Sequence, residues 1–167
     1  MLSIYHSRWV GLVAQVGTED VPKVNMLFTF ANNSEKVDVL ESISAVVSTP
    51  RHGKLEMQCE EFFEYQDGRK QVKSIDYHAL PVPANGSAVT GIQFKHDDEI
   101  DDFEWSAGKY KFEILANGKA LSSFDVTITD EKANIISSWM KGSAKKWLAL
   151  VKEHGIDVDA KSIRVYF

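Results

Sequence analysis

A chain of 167 residues, 44% hydrophobic and 26% charged, has the size and make-up of one soluble globular domain able to bury a core without covalent staples. Its 19 basic and 24 acidic side chains leave a net charge of −5, which disfavours a general nucleic-acid binder, since such proteins carry a basic footprint, and no nucleic-acid partner is expected. A single cysteine, Cys59, excludes an intrachain disulfide and any multi-cysteine metal knuckle.

No run approaches the ~20 apolar residues of a membrane-spanning helix. Residues 1–8 lack the basic-then-apolar order of a signal peptide. The expected compartment is the cytoplasm, with the cell envelope as the alternative if a leader or anchor has been removed.

In chain order, residues 8–16 are a short apolar run expected as an edge strand. Residues 24–31 alternate cleanly, with Val24, Met26, Phe28 and Phe30 on one face. The polar turn Asn32-Asn-Ser-Glu-Lys36 follows, built of residues that tolerate left-handed backbone or bond their own main chain. Val37, Val39, Ile43, Ala45 and Val47 mark the inner face of the next strand. Residues 55–65 carry the clearest pattern. Leu55, Met57, Cys59, Phe63 and Tyr65 share one face and Glu56, Gln58, Glu60 and Glu64 the other, with Phe62 breaking the polar side. Asp67-Gly68 is a hairpin signal, residues 72–77 return from it, and the proline-bearing stretch 80–87 is a connection.

After a strand at 89–94 comes a loop that ends at Gly108. Tyr110, Phe112 and Ile114 then share one strand face, Asn117-Gly118 makes a tight turn, and Phe124, Val126 and Ile128 line the returning strand. Past Thr129 the period becomes helical. Asp130 is the expected N-cap, and Ala133, Ile136, Trp139, Met140, Ala144, Trp147, Leu148 and Val151 recur at helix spacing. Residues 162–167 read as a final strand or a frayed tail. The count is about eight strands.

The corner Gly108-Lys-Tyr110-Lys-Phe112 is similar to the Gly-X-Tyr-X-Cys of immunoglobulin strand F, with Phe112 where the disulfide cysteine would stand. Residues 24–39, a strand, the Asn-Asn-Ser-Glu-Lys turn and a second strand, resemble a turn of bacterial immunoglobulin-like modules, as does Val82-Pro-Ala-Asn-Gly-Ser87. The resemblance covers residues 24–128 as a pattern. It departs from the family in lacking the disulfide pair and in adding a C-terminal helix. It implies an all-β, immunoglobulin-like antiparallel β-sandwich over residues 1–129, with residues 130–167 as a helix and terminal strand or tail packed on it. It also implies a binding or scaffolding role, by analogy of fold.

Three groups of residues invite a chemical reading. Residues 96–104 hold six carboxylates in nine positions, and Asp97, Asp98, Asp101 and Asp102 are the candidate oxygen ligands for Ca²⁺. The competing reading is a solvated acidic loop with Ile100 and Phe103 turned inward, and no cofactor is the favoured expectation. On the helix, Trp139 and Trp147 point about 80° apart on one broad side. With Lys141, Lys145, Lys146 and Lys152 they would form a docking face for an acidic partner protein or a membrane surface; the competing reading is a helix that covers the sandwich. Trp9 and Trp105 suit a sugar-stacking platform or, more simply, a core.

The histidines His6, His52, His78, His96 and His154 stand singly, with no metal-ligand pair and no catalytic motif. The expected function is a non-catalytic protein-interaction or scaffolding module, with another protein as partner and a homo-oligomer through an edge strand left open. A carbohydrate- or calcium-dependent binding module is one alternative. A hydrolase whose site is assembled in space around His78 or His96 is the other.

Overall fold

The computed structural model describes residues 1–13, 21–66, 69–72, 79–140, 156–159 and 162–167. In chain order these carry β1 (Leu2–His6), β2 (Trp9–Val13), β3 (Lys23–Asn32), β4 (Asp38–Leu40), β5 (Ile43–Thr49), β6 (Gly53–Gln66) and β7 (Arg69–Val72). Then follow β8 (Leu80–Val82), β9 (Gly86–His96), β10 (Gly108–Ala116), β11 (Lys119–Ile128), the helix α1 (Asp130–Met140), β12 (Ile156–Asp159) and β13 (Ser162–Tyr166). The expectation of a mostly β, antiparallel chain with one helix holds. The strands outnumber the expected eight because short pieces join the long ladders: β4 and β8 pair with each other, and β7 pairs with β6.

The two-sheet sandwich and the immunoglobulin-like resemblance are corrected. Eleven strands form one continuous sheet in the order β11-β10-β5-β6-β9-β3-β2-β13-β12, with β1 also on β3. The cause is the length of β6. Its first half pairs with β5, Gly53 facing Thr49 and Gln58 facing Ser44, and its second half pairs with β9, from Met57 facing His96 to Phe63 facing Gly91. What would be two sheets is thereby hydrogen-bonded into one. A bulge between Cys59 and Glu61 bends the strand as it changes partner. The bulge also explains Phe62: beyond it the alternation inverts, so Phe62 joins the core, while Phe63 and Tyr65 pass to the outer face.

The sheet curls into a nearly closed barrel. Its β11 end returns toward β1, where Phe112, Phe124 and Phe167 stack with centroids 5.2 and 4.9 Å apart and His6 lies 4.3 Å from Phe124. The interior is filled by Val24, Met26, Phe28 and Phe30 of β3, Met57 of β6, Ile92 and Phe94 of β9, and Tyr110, Phe112 and Ile114 of β10. An apolar cavity of about 10 Å³ remains between Val10, Leu12 and Val165 on one wall and Trp105, Phe112, Val126 and Ile128 on the other. That is room for about one water and for no substrate.

Three local expectations are settled. The hairpin at Asn117-Gly118 forms, both residues taking positive φ (49° and 76°) as a tight two-residue turn requires. On β10, Tyr110 Oη donates to the Ser106 carbonyl at 2.8 Å, a bond that the sequence did not foretell. The helix is capped by Thr129 rather than Asp130: its hydroxyl accepts from the Lys132 amide at 3.2 Å, and Asp130 and Glu131 place charge in the first turn. Residues 162–166 are a true strand, paired with β2, so β2 is interior and not the edge that the sequence suggests.

Candidate functional site

The candidate ligands at Asp97, Asp98, Asp101 and Asp102 are all exposed, and among the described residues no three His, Cys, Asp or Glu side chains converge as a metal site. Of the docking-face residues, Lys141, Lys145, Lys146, Trp147 and Lys152, together with the side chain of Trp139, lie outside the described residues, as do His78 and His154. His96 Nδ1 meets the Glu56 carbonyl at 2.8 Å and is turned toward backbone rather than a carboxylate. Trp105 is a core residue, 4% exposed, so it offers no sugar platform. Cys59 packs against the core, and burial pushes its thiol up to about 12, helped by the neighbouring charges of Glu60 and Glu61. It stays protonated and is no nucleophile. Burial likewise raises the Tyr110 hydroxyl above its ordinary value, against the lowering effect of its bond to Ser106.

The polar chemistry gathers on the outer face of the sheet. Arg164, Gly11, Asn25, Gln93 and Glu61 face one another in a single row across β13, β2, β3, β9 and β6. Each alternates with a core residue: Val165, Val10, Val24, Ile92 and Phe62 all point inward. Asn25 and Gln93 are nonetheless buried, at 3% and 6% exposure. Gln93 sits 2.9 Å from Asn25, 2.9 Å from Glu60 Oε2 and 3.1 Å from Glu61 Oε1. A carboxylate only accepts, so the Gln93 amide nitrogen faces the two glutamates, which turns its oxygen toward the Asn25 side-chain amide. Lys23 Nζ lies 3.3 Å from Glu60 Oε2, and Lys95 Nζ 3.8 Å from Glu60 Oε1, which completes a charged end to the row.

The other end is aromatic. The Arg164 guanidinium lies 4.3 Å from the Trp9 ring centre and 4.9 Å from that of Tyr65. The two rings are 6.5 Å apart, and Phe63 meets Tyr65 edge-on at 5.5 Å. Tyr166 faces Trp9 across the β13–β2 ladder and is 41% exposed. Tyr5 faces Thr29 on the same side of β3 and is 64% exposed. Thr29 is four residues from Asn25, so Tyr5 stands about 13 Å along the strand from the polar row.

None of these residues was singled out from the sequence as a polar site. Two signals were present. Gly11 and Gly91 stand inside strands, where glycine marks a close approach. Asn25 interrupts an otherwise apolar strand.

No protein-family model and no curated protein matches the chain. Among solved structures it is similar to the Pseudomonas fluorescens alkylpurine DNA glycosylase AlkC bound to DNA containing an abasic site analog. The identity is 13% and the TM-score 0.47; the match covers 77% of this chain and 30% of the glycosylase. The chain thus spans less than a third of that protein. The neighbour is a DNA glycosylase in complex with DNA. On that finding the exclusions of nucleic acid and of catalysis are withdrawn. The expectation of a protein-interaction or scaffolding module is corrected with them. Among the described residues no helix is long and apolar enough to cross a membrane.

Proposed function

We propose that the outer face of the sheet binds single-stranded nucleic acid by stacking bases on its aromatic side chains. The observation that carries this reading is the pair of exposed tyrosines on that face, Tyr166 (41%) and Tyr5 (64%), the former backed by the stack of a buried Trp9 (8%), Arg164 and Tyr65. Planar bases stack on aromatic and guanidinium planes whatever their sequence, each worth ~1–3 kcal/mol. The rings of Trp9 and Tyr65 take the faces of the Arg164 guanidinium, so its part is to hold this patch rigid beside Tyr166. Lys23 and Lys95 lie at the far end of the polar row and would follow the backbone of a bound strand. The support comes from these side chains, not from the weak likeness to the glycosylase.

The test is fluorescence anisotropy with a labelled single-stranded oligonucleotide and with its duplex. Binding of the single strand in preference to the duplex is expected, with Tyr166→Ala weakening it roughly tenfold, the loss of one stacked base. Arg164→Gln, which removes the cation that backs Tyr166, should weaken it as well. No anisotropy change up to about 100 µM protein, the weak end of non-specific affinity, would overturn the reading. So would equal binding by both variants and the wild type.

A further inference from the structure

The sequence holds two Asn-Gly pairs, Asn85-Gly86 and Asn117-Gly118, and the fold treats them in opposite ways. We propose that Asn85 is a site of spontaneous deamidation and isomerisation, and that the fold protects Asn117 from the same reaction. The proposal is independent of any nucleic-acid binding.

The chemistry is intramolecular. The backbone nitrogen of the following glycine attacks the asparagine side-chain carbon, forming a new C–N bond. The bond to the side-chain nitrogen breaks, and ammonia leaves with the glycine proton. Water then opens the resulting five-membered succinimide at either carbonyl, giving aspartate or isoaspartate. Glycine favours the step because no β-carbon hinders its nitrogen. What the fold controls is whether the asparagine side chain is free to turn onto that nitrogen.

Asn117 is held on every side. Its Oδ1 accepts from the Glu41 amide at 2.8 Å and from the Ser42 amide at 3.3 Å. Its Nδ2 donates to the Val39 carbonyl at 3.0 Å, and its own amide donates to the Ser42 carbonyl at 2.9 Å. The side chain thus pins the β4–β5 connection to the β10–β11 turn, and three bonds must break before its carbon can reach Gly118. Asn85 differs. Both asparagines are exposed, but among the described residues the Asn85 side chain makes no hydrogen bond. Only main-chain bonds order the turn: Asn85 N to the Ser34 carbonyl at 2.9 Å and Gly86 N to the Pro83 carbonyl at 3.2 Å. The second of these is the one contact that the attacking nitrogen must give up.

The experiment is incubation of the folded chain at mildly alkaline pH and physiological temperature, followed by peptide mapping with mass detection. A urea-unfolded sample is run in parallel. In the unfolded chain both sites should react at similar rates. In the folded chain Asn85 should react roughly tenfold faster than Asn117 or more, the factor expected from holding one side chain by three bonds. Substituting Ser42→Pro removes one amide donor to Asn117, and Asn117 should then react measurably faster. If the variant is unfolded, the ratio of the two sites in the wild type decides alone. Equal rates in the folded wild type, or a faster Asn117, would overturn the proposal. So would an Asn85 that stays intact while the unfolded control reacts.

Discussion

Gly91 shows how much a single missing side chain decides. A β-carbon there would fall 2.3 Å from the Phe63 ring, so the ring lies where any other residue would place its side chain. Gly91→Ala is expected to destabilise the fold by about 1–3 kcal/mol, as overpacking does, with a lowered melting temperature as the readout. An unchanged melting temperature would mean that Phe63 moves freely. Cys59 gives a second residue-scale test. Its folded-state value of about 12 lies above the ordinary 9.0, so the native state holds the proton more tightly than the unfolded chain does. Its contribution to stability is therefore full below about pH 9 and is lost as pH rises from there toward about 12. Alkylation at pH 8 should label Cys59 only after denaturant unfolds the chain, and prompt labelling of the native protein would contradict the buried thiol. At this scale the sequence was legible wherever a residue's role is local, as with Tyr110, Asn117-Gly118 and the alternating faces of β3 and β10. Asn25 and Gln93 were not legible, because they became a pair only when two strands distant in sequence came into register.

Among the elements, β6 and β13 carry the largest departures from expectation. The period-two pattern of 55–65 correctly announced a strand with one wet face. It did not announce that the strand serves two neighbours in turn, since periodicity reports a face and not a partner. A one-residue bulge then exchanged the faces, so Phe62 looked misplaced while Phe63 and Tyr65 were read onto the same face as Leu55, Met57 and Cys59. Residues 162–166 were ambiguous for a related reason: five residues are too few to separate a strand from a tail by pattern. Their place is fixed by pairing with β2 from Trp9 to Val13, with Val165 fully buried. Removing residues 162–167 should therefore abolish the cooperative thermal transition rather than trim a loose end, since it opens β2 and one wall of the interior. A truncated chain that melts at the wild-type temperature would show that β13 is dispensable.

At the scale of the whole molecule, charge and shape constrain the proposed binding. A net charge of −5 with Lys23 and Lys95 both near Glu60 leaves few cations free to replace counterions on a strand. Each phosphate contact to a single strand contributes a slope of about −0.7 in log affinity against log salt. The total should then be no steeper than about −2, and a much steeper dependence would move the contact away from the outer row. The acidic composition was read from the sequence as weighing against a general nucleic-acid binder; it weighs only against recognition dominated by phosphate. The barrel's seam has a separate consequence. Along β11 the backbone is bonded to β10 on one side, while toward β1 and Phe167 it is met by rings. Stacked rings part without breaking a ladder, so the wall should breathe there first. Hydrogen exchange should show β11 opening by a fluctuation that leaves β3 and β9 closed, and Phe124→Ala should quicken that opening selectively.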